Sequence, residues 1–445
     1  MKKITLLILL LIFINTSVFA TNVSTAELAT APHAVLIDMD SGKILYEKNG
    51  YTPTYPASTT KILTAILVLE NCDLDEKVTA SFEAINSVYA NGTTASIQEG
   101  ETHTVKDLLS TMLIHSANDA AYILAEHVGG TTASFASMMN AKAKELGALS
   151  TSFVNPNGLP NTEHKCSAYD MALFAKYAMK NFPVFRDIVK TVNYSLPITP
   201  EYEKLYFSEY PDAQKATRYL STTTNHLINP ARTTYYYKYA TGIKTGYTDA
   251  AANCIVASAE KDGVELALVI FGASGWGNLH DDAVNLFEYG FSKLKSETLV
   301  SAGNIIETVT IKNANSDDNT LNVVVADNLN ATVSVTDFVE AFSPSIVLKE
   351  DLKAPIKSGD VVGTITYDIY NQTYTSNLLA GNSIDAKISV ATVATNVFGI
   401  IIKIILWAVG IIIFSFVALV FLRAYIITKN QKRNRRRRIY NSRFR

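Results

Sequence analysis

The sequence predicts an α+β body, then a small all-β module, then a helix able to cross a membrane. Three observations carry this order. Residues 21–298 mix segments of strand period with segments of helical period. Beyond Leu299 the helical period fades and short β-branched runs take over, separated by turn residues. The nineteen residues 404–422 then carry no charge, close to the roughly 20 needed to cross a bilayer core.

The elements follow in order. Residues 1–20 have the layout of a secretory signal: Lys2 and Lys3, an apolar run over 4–14 too short to span, and Val18-Phe19-Ala20 at the expected cut. Two apolar runs around Asp40-Ser41-Gly42 predict a β-hairpin. Tyr55-Pro56-Ala57-Ser58 opens a helix to about Glu70, with Ile62, Ala65, Ile66 and Leu69 on one face. Residues 103–128 are mostly helical, broken at Ser116-Ala117-Asn118, and further helices are expected over 135–146 and 169–179. Residues 227–241 lead into a strand holding Lys244, strands follow at 255–259 and 264–272, and a helix over 281–291 closes the body. In the module, strands are expected at 305–311, 321–325, 331–335, 345–348, 361–367 and 384–390. It shows no catalytic constellation, so the expected role for 299–395 is a spacer. A spanning helix over 398–422 and a basic tail over 423–445 complete the chain.

Charge is unevenly distributed. The net charge of the 445 residues is −2, but ten Lys or Arg and no acid lie within 423–445. Setting these aside with Lys2, Lys3 and Lys403 leaves 26 basic against 41 acidic residues between Glu27 and Ile402, about −15. An acidic body argues against nucleic acid as its partner, so none is expected. Basic residues directly after a spanning helix predict a cytoplasmic tail facing membrane lipid, with the body on the other side. Three cysteines cannot all pair within the chain, and the seven histidines show no HExxH spacing, so neither a metal nor another cofactor is expected.

Three short motifs supply chemistry. Ser58 starts a helix and Lys61 lies one turn on, on the same face. A serine hydroxyl needs a base, and lysine serves only if burial or a neighbouring cation such as Lys244 lowers its pKa. The Ser58 N–H at the helix start faces a developing oxyanion. Ser116 offers a hydroxyl to relay a proton and Asn118 an amide to hold Lys61 and a substrate carbonyl. Lys244 and Thr245 suit a carboxylate, Gly246 lets a substrate backbone approach, and the Tyr247 N–H completes the oxyanion site. Alone, each motif is weak: Ser58 could be a helix cap, Ser116 and Asn118 turn residues, Lys244 an exposed edge lysine. The set is informative because order and spacing suit the roles, with gaps of 58 residues (Ser58 to Ser116) and 128 residues (Ser116 to Lys244).

On these residues the chain resembles the penicillin-recognising serine D-alanyl-D-alanine carboxypeptidases, the low-molecular-mass penicillin-binding proteins. The likeness spans roughly residues 27–295 and extends to the β-rich module. It includes Tyr55-Pro-Ala-Ser-Thr-Thr-Lys61, His115-Ser-Ala-Asn-Asp-Ala120, Phe153-Val-Asn-Pro-Asn-Gly158-Leu159, Thr224-Asn225-His226-Leu227 and Gly242-Ile-Lys-Thr-Gly-Tyr-Thr248. The resemblance implies the penicillin-binding/β-lactamase-like transpeptidase fold, a helical subdomain against a mainly antiparallel sheet with the site between. It implies peptidoglycan stem peptides ending in D-Ala-D-Ala as substrate and β-lactam antibiotics as acylating inhibitors. It makes Ser58 the acylated serine, Lys61 the base, Ser116 and Asn118 the shuttle and clamp, and Lys244 and Thr245 the carboxylate side. Two departures stand out. Residues 272–280 lack the arginine that some members present after the strand following the KTG motif, and this chain has a spanning helix where many relatives have an amphipathic one.

Rival readings share the motifs. A class A β-lactamase needs a glutamate in an E-x-x-x-N loop, and no glutamate between Asn118 and Lys244 has Asn at the fourth place. A non-catalytic β-lactam receptor would have only the 23-residue tail with which to signal. A DD-endopeptidase carries the same motifs and stays open.

Overall fold

The computed structural model describes residues 28–442 apart from 89–91, 219–220, 316–318, 371 and 388–389, so the signal segment lies outside the described residues. The chain enters through the expected hairpin, β1 (His33–Asp38) and β2 (Ile44–Lys48). The Asp38 carboxylate closes its turn by accepting the Asp40 and Ser41 N–H groups at 3.2 and 2.8 Å, while Gly42 takes φ +75°.

Three later strands complete an antiparallel sheet: β3 (Ala240–Thr248), β4 (Ala252–Lys261) and β5 (Val264–Ala273), in the order β2-β1-β5-β4-β3. The period-2 alternation of side chains builds two cores from one sheet. Val35, Ile37, Val256, Val269 and Phe271 face a helical layer, whereas Leu36, Ile255, Leu268 and Ile270 pack with Leu279, Leu286 and Phe287 of the closing helix.

Five helices form that layer: α1 (Lys61–Asn71), α2 (Val105–Ile114), α3 (Asn118–Gly129), α4 (Thr132–Glu145) and α5 (Ala168–Asn181). Three of their starts are set by side-chain caps. Thr104 and Asp107 form a capping box on α2, and Thr131 and Ser167 cap α4 and α5. Shorter helices at Phe82–Asn86, Pro183–Lys190 and Pro200–Glu209 were not expected. In the last two the proline that reads as a breaker sits in the first turn, where its missing N–H costs nothing. The closing helix α6 (Trp276–Phe291) begins five residues before the expected start, since Gly275-Trp276-Gly277 starts a helix where a turn was read.

Contacts divide the chain into two compact units. The first holds residues up to Leu299 with 330–343 and 367–374; the second holds 300–329, 344–366 and 375 onward. The second unit carries an antiparallel sheet of β6 (Ile305–Thr310), β7 (Thr320–Val325), β8 (Ser345–Leu348), β9 (Val361–Ile369) and β10 (Gln372–Ala380), in the order β6-β7-β10-β9-β8. The strand β10 was missed because threonines, Ser376 and Asn377 interrupt its apolar alternation. The strand expected at 384–390 is reduced, among the described residues, to two isolated bridges, Ile356 with Ile384 and Ala314 with Ala386. A single helix, Val390–Ser442, follows, and its segment Ala394–Arg436 is long and apolar enough to cross a membrane.

Candidate active site

Ser58 lies in a 3₁₀ turn, Ala57–Thr60, that runs directly into α1 at Lys61. Ala57 takes φ +48°, a left-handed conformation costly for a residue with a Cβ. Its carbonyl is pressed by the loop carrying Gly158, where an added Cβ would sit 1.8 Å from the Ala57 oxygen. Gly158 itself has φ +84°. A second left-handed residue, Ser116 at φ +67°, makes the sharp break between α2 and α3 and lets Asn118 begin the next helix.

The Lys61 amine is fully buried and has three neighbours. It lies 3.0 Å from Ser58 Oγ, 2.7 Å from Asn118 Oδ1 and 3.0 Å from the Asn157 carbonyl oxygen. The latter two can only accept. A neutral amine has two N–H bonds and one lone pair, so two acceptors fix its hydrogens and turn the lone pair toward the serine hydroxyl. Burial, then the charge of Lys244, push the Lys61 pKa well below the ordinary lysine range, while Asp119 opposes them. Lys244 is also buried, with its amine donating to the Thr245 carbonyl at 2.8 Å and its pKa lowered by burial to about 7.

Thr245 and Gly246 come from β3, an edge strand of its sheet. A Cβ on Gly246 would stand 2.8 Å from the Ser58 nitrogen, so this glycine permits the Ser58 turn to meet the strand. Thr245 Oγ1 donates to Thr224 Oγ1 at 2.5 Å. A cleft of about 590 Å³ is lined by Ser58, Ser116, Asn118, Thr245, Gly246 and Tyr247 together with Gly92, Thr93, Gly158, Leu159, Thr224 and Trp276. Lys61 and Lys244 lie buried behind that lining. The Tyr247 side chain is exposed and its hydroxyl donates to Asp249 at 3.1 Å, which leaves its backbone as the part relevant to the cleft.

Several contributors escaped sequence reasoning. The Asn157 carbonyl has no side-chain signature, although its loop lies within the quoted segment 153–159. The wall at Gly92 and Thr93 is held by α3: the Asn118 N–H donates to Thr93 O at 2.8 Å, and the Asp119 carboxylate accepts the Ala95 and Ile97 N–H groups at 3.0 Å each. In place of the missing arginine, Trp276 lines the cleft, backed by the rings of His226 and His280 at 5.8 and 5.9 Å between centroids. At the other end of α1, Cys72, Glu76 and His127 have ligand-type atoms within 4.8 Å of one another; no catalytic motif reaches that surface group.

Residues 20–275 match the D-alanyl-D-alanine carboxypeptidase family, and residues 294–386 match the penicillin-binding protein 5 C-terminal domain. The chain belongs to the D-alanyl-D-alanine carboxypeptidase family. It is 33% identical to the D-alanyl-D-alanine carboxypeptidase DacF of Bacillus subtilis over 77% of this chain and 82% of that one. It is 31% identical to DacB2 of Mycobacterium tuberculosis over 58% of this chain and 81% of the relative. Among solved structures, the peptidoglycan synthesis regulatory factor PBP3 of Streptococcus pneumoniae superposes with a TM-score of 0.63 at 26% identity, covering 80% of this chain and all (100%) of the other. This carboxypeptidase is therefore a serine-type D-Ala-D-Ala hydrolase of α+β fold with a C-terminal all-β domain and one long apolar C-terminal helix. The β-lactamase, endopeptidase and receptor readings are not favoured by these relatives.

Proposed function

We propose that Ser58 removes the terminal D-Ala from peptidoglycan stem peptides through an acyl-enzyme, with Lys61 as base. The observation that carries this reading is the amine of Lys61, buried and held by Asn118 and Asn157 with its remaining valence toward Ser58. In the first step the Ser58 hydroxyl proton passes to Lys61 Nζ while Oγ bonds to the carbonyl carbon of the penultimate D-Ala. The oxyanion is held by the N–H groups of Ser58 and Tyr247, each such donor contributing about 10²–10³ in rate. The C–N bond then breaks as Lys61 returns the proton, through the Ser116 hydroxyl, to the leaving amine. Free D-alanine departs, and water hydrolyses the ester to restore Ser58.

Substrate positioning follows from the edge strand. An extended stem peptide adds to the open side of β3 by main-chain hydrogen bonds. Gly246 allows the close approach, and Asn118 holds the substrate carbonyl. The terminal carboxylate meets Thr245 and Thr224 above the charge of Lys244, and Trp276 supplies an apolar wall without a cation. A β-lactam follows the first step and stalls at the second.

We also propose a single-pass arrangement. Residues 1–20 direct export, the peptidase domain (21–298) and spacer (299–395) lie outside, the helix over 398–422 crosses, and the basic tail 423–445 faces anionic lipid in the cytoplasm. The carboxypeptidase then works on the cell wall and influences cell shape. The test uses the full-length chain in detergent micelles with a pentapeptide ending in D-Ala-D-Ala. Release of D-alanine, and one penicilloyl adduct by intact mass that Ser58→Ala abolishes, are the expected results. Release that persists in Ser58→Ala refutes the assignment.

A further inference from the structure

The helix Pro200–Glu209 buries none of its residues, yet it is firmly tied down. The Arg218 guanidinium grips buried Glu101 through two bonds of 2.7 and 2.8 Å and covers one face of the Tyr202 ring at 3.8 Å. The Tyr202 and Tyr206 hydroxyls are anchored to Thr217 at 3.1 and 3.0 Å. A helix with no core face is normally dispensable to packing, so this anchorage points to its outer surface.

That surface is an aromatic row. Tyr202, Tyr206 and Tyr210 recur every four residues, with ring centroids 6.1 and 5.0 Å apart at tilts of 37° and 41°. The rings border a cavity of about 650 Å³ whose other walls include Leu205, Ser96 and Gln98. Leu205 and Tyr210 are about half exposed, at 48% and 51%. The far wall belongs to the same segment that lines the catalytic cleft at Gly92 and Thr93 and is pinned by Asp119. One short segment thus lines both places, Gly92 and Thr93 at the proposed substrate site and Ser96 and Gln98 at the groove.

We propose that this tyrosine groove binds the glycan portion of the substrate, an N-acetylated hexosamine oligosaccharide attached to the stem peptide. Tilted rings spaced by about one sugar unit, flanked by amide and hydroxyl groups, suit pyranose rings: their C–H faces stack on the aromatics and their hydroxyls and acetamides find polar partners. Among the described residues, none of those lining the groove is basic and Glu209 is acidic, which disfavours a phosphate-rich ligand. Because Arg218 occupies one face of Tyr202, the sugar rests chiefly on Tyr206 and Tyr210. The inference rests on the proposed carboxypeptidase reading and names the second part of the same substrate.

The test compares two substrates on the full-length chain in micelles. One is a soluble acylated tripeptide ending in D-Ala-D-Ala; the other is an uncross-linked glycan polymer bearing stem pentapeptides. Tyr206→Ala and Tyr210→Ala are expected to lower kcat/KM on the polymer by about tenfold, mainly through KM, a loss of the size expected for one aromatic stacking contact. Both are expected to keep wild-type turnover of the tripeptide, and Tyr206→Phe, which keeps the ring, should retain polymer activity. Direct binding of an N-acetylglucosamine tetrasaccharide should quench tyrosine fluorescence in the wild type and not in Tyr206→Ala. Equal losses on both substrates, or no loss on the polymer, overturn the proposal, as does a wild-type dimer that Tyr206→Ala turns into a monomer. Failure of the wild type to release D-alanine from the tripeptide would instead sink the underlying reading.

Discussion

Replacing Lys244 by methionine should make the protein more stable and leave it inactive. The Lys244 amine ionises near pH 7 in the fold, against 10.5 for an ordinary lysine, because it is buried. A depressed lysine pKa means the unfolded chain binds the proton more tightly. The destabilisation is complete below pH 7 and fades as pH rises from 7 toward 10.5. At 1.36 kcal/mol for each pH unit across that interval the ceiling is about 5 kcal/mol. Methionine also forfeits the bond from the amine to the Thr245 carbonyl, a loss of about 1 kcal/mol, and part of the burial term is recovered by relaxation, so a net gain of about 3 kcal/mol is expected at pH 6. For a domain of this size that raises Tm by about 6 °C. Thermal unfolding of both full-length proteins in detergent, followed by near-UV circular dichroism at pH 6, 8 and 9.5, should show the gap narrowing as pH climbs. In the same variant the repulsion that helps depress Lys61 is gone. The acid limb of the residual penicillin acylation rate should therefore move to higher pH. A variant that is less stable than wild type at pH 6, or a gap independent of pH, would refute the reasoning.

Other outcomes follow from the same geometry. Lys61→Met should slow penicillin acylation by about 10²–10⁴ while binding persists, as measured by stopped-flow mass analysis. Gly158→Ala places a Cβ 1.8 Å from the Ala57 carbonyl at φ +84°, so it should displace the nucleophile turn and lower both Tm and acylation rate; an unchanged rate contradicts that close packing. Asp119→Asn weakens the anchorage of Ala95 and Ile97 and should cut kcat/KM by about tenfold or more, with hydrogen exchange rising at 93–97. Glu101, lowered to about 2 by its bonds to His103 and Arg218 against burial, contributes stability above pH 4.5 that is lost as pH falls toward 2. Glu101→Gln should therefore cost about 3 kcal/mol at pH 7 in urea titrations and almost nothing near pH 2.

The side chains proposed for the site can be picked out in the sequence because their chemistry depends on residue type and local placement. Ser58 and Lys61 are three residues apart across a helix start, Ser116 and Asn118 occupy a helix break, and Lys244 and Thr245 lie on a strand. What completes them was not legible, because it comes from backbone and tertiary approach. The Asn157 carbonyl exists at every residue and gains meaning only when a loop 96 residues away packs on Lys61. The edge position of β3 follows from strand order, which local periodicity does not encode. Polar strands such as Gln372–Ala380 and proline-led helices such as Pro183–Lys190 hid behind residues that usually mark turns.

The long apolar helix starts at Val390, four positions after Ala386, which bridges to Ala314 in the second unit. Four residue steps, fully stretched, reach about 14 Å at most. On the proposed single-pass arrangement, a link that short keeps the C-terminal β domain beside the bilayer, so that lateral diffusion of the helix carries the domain along the membrane surface.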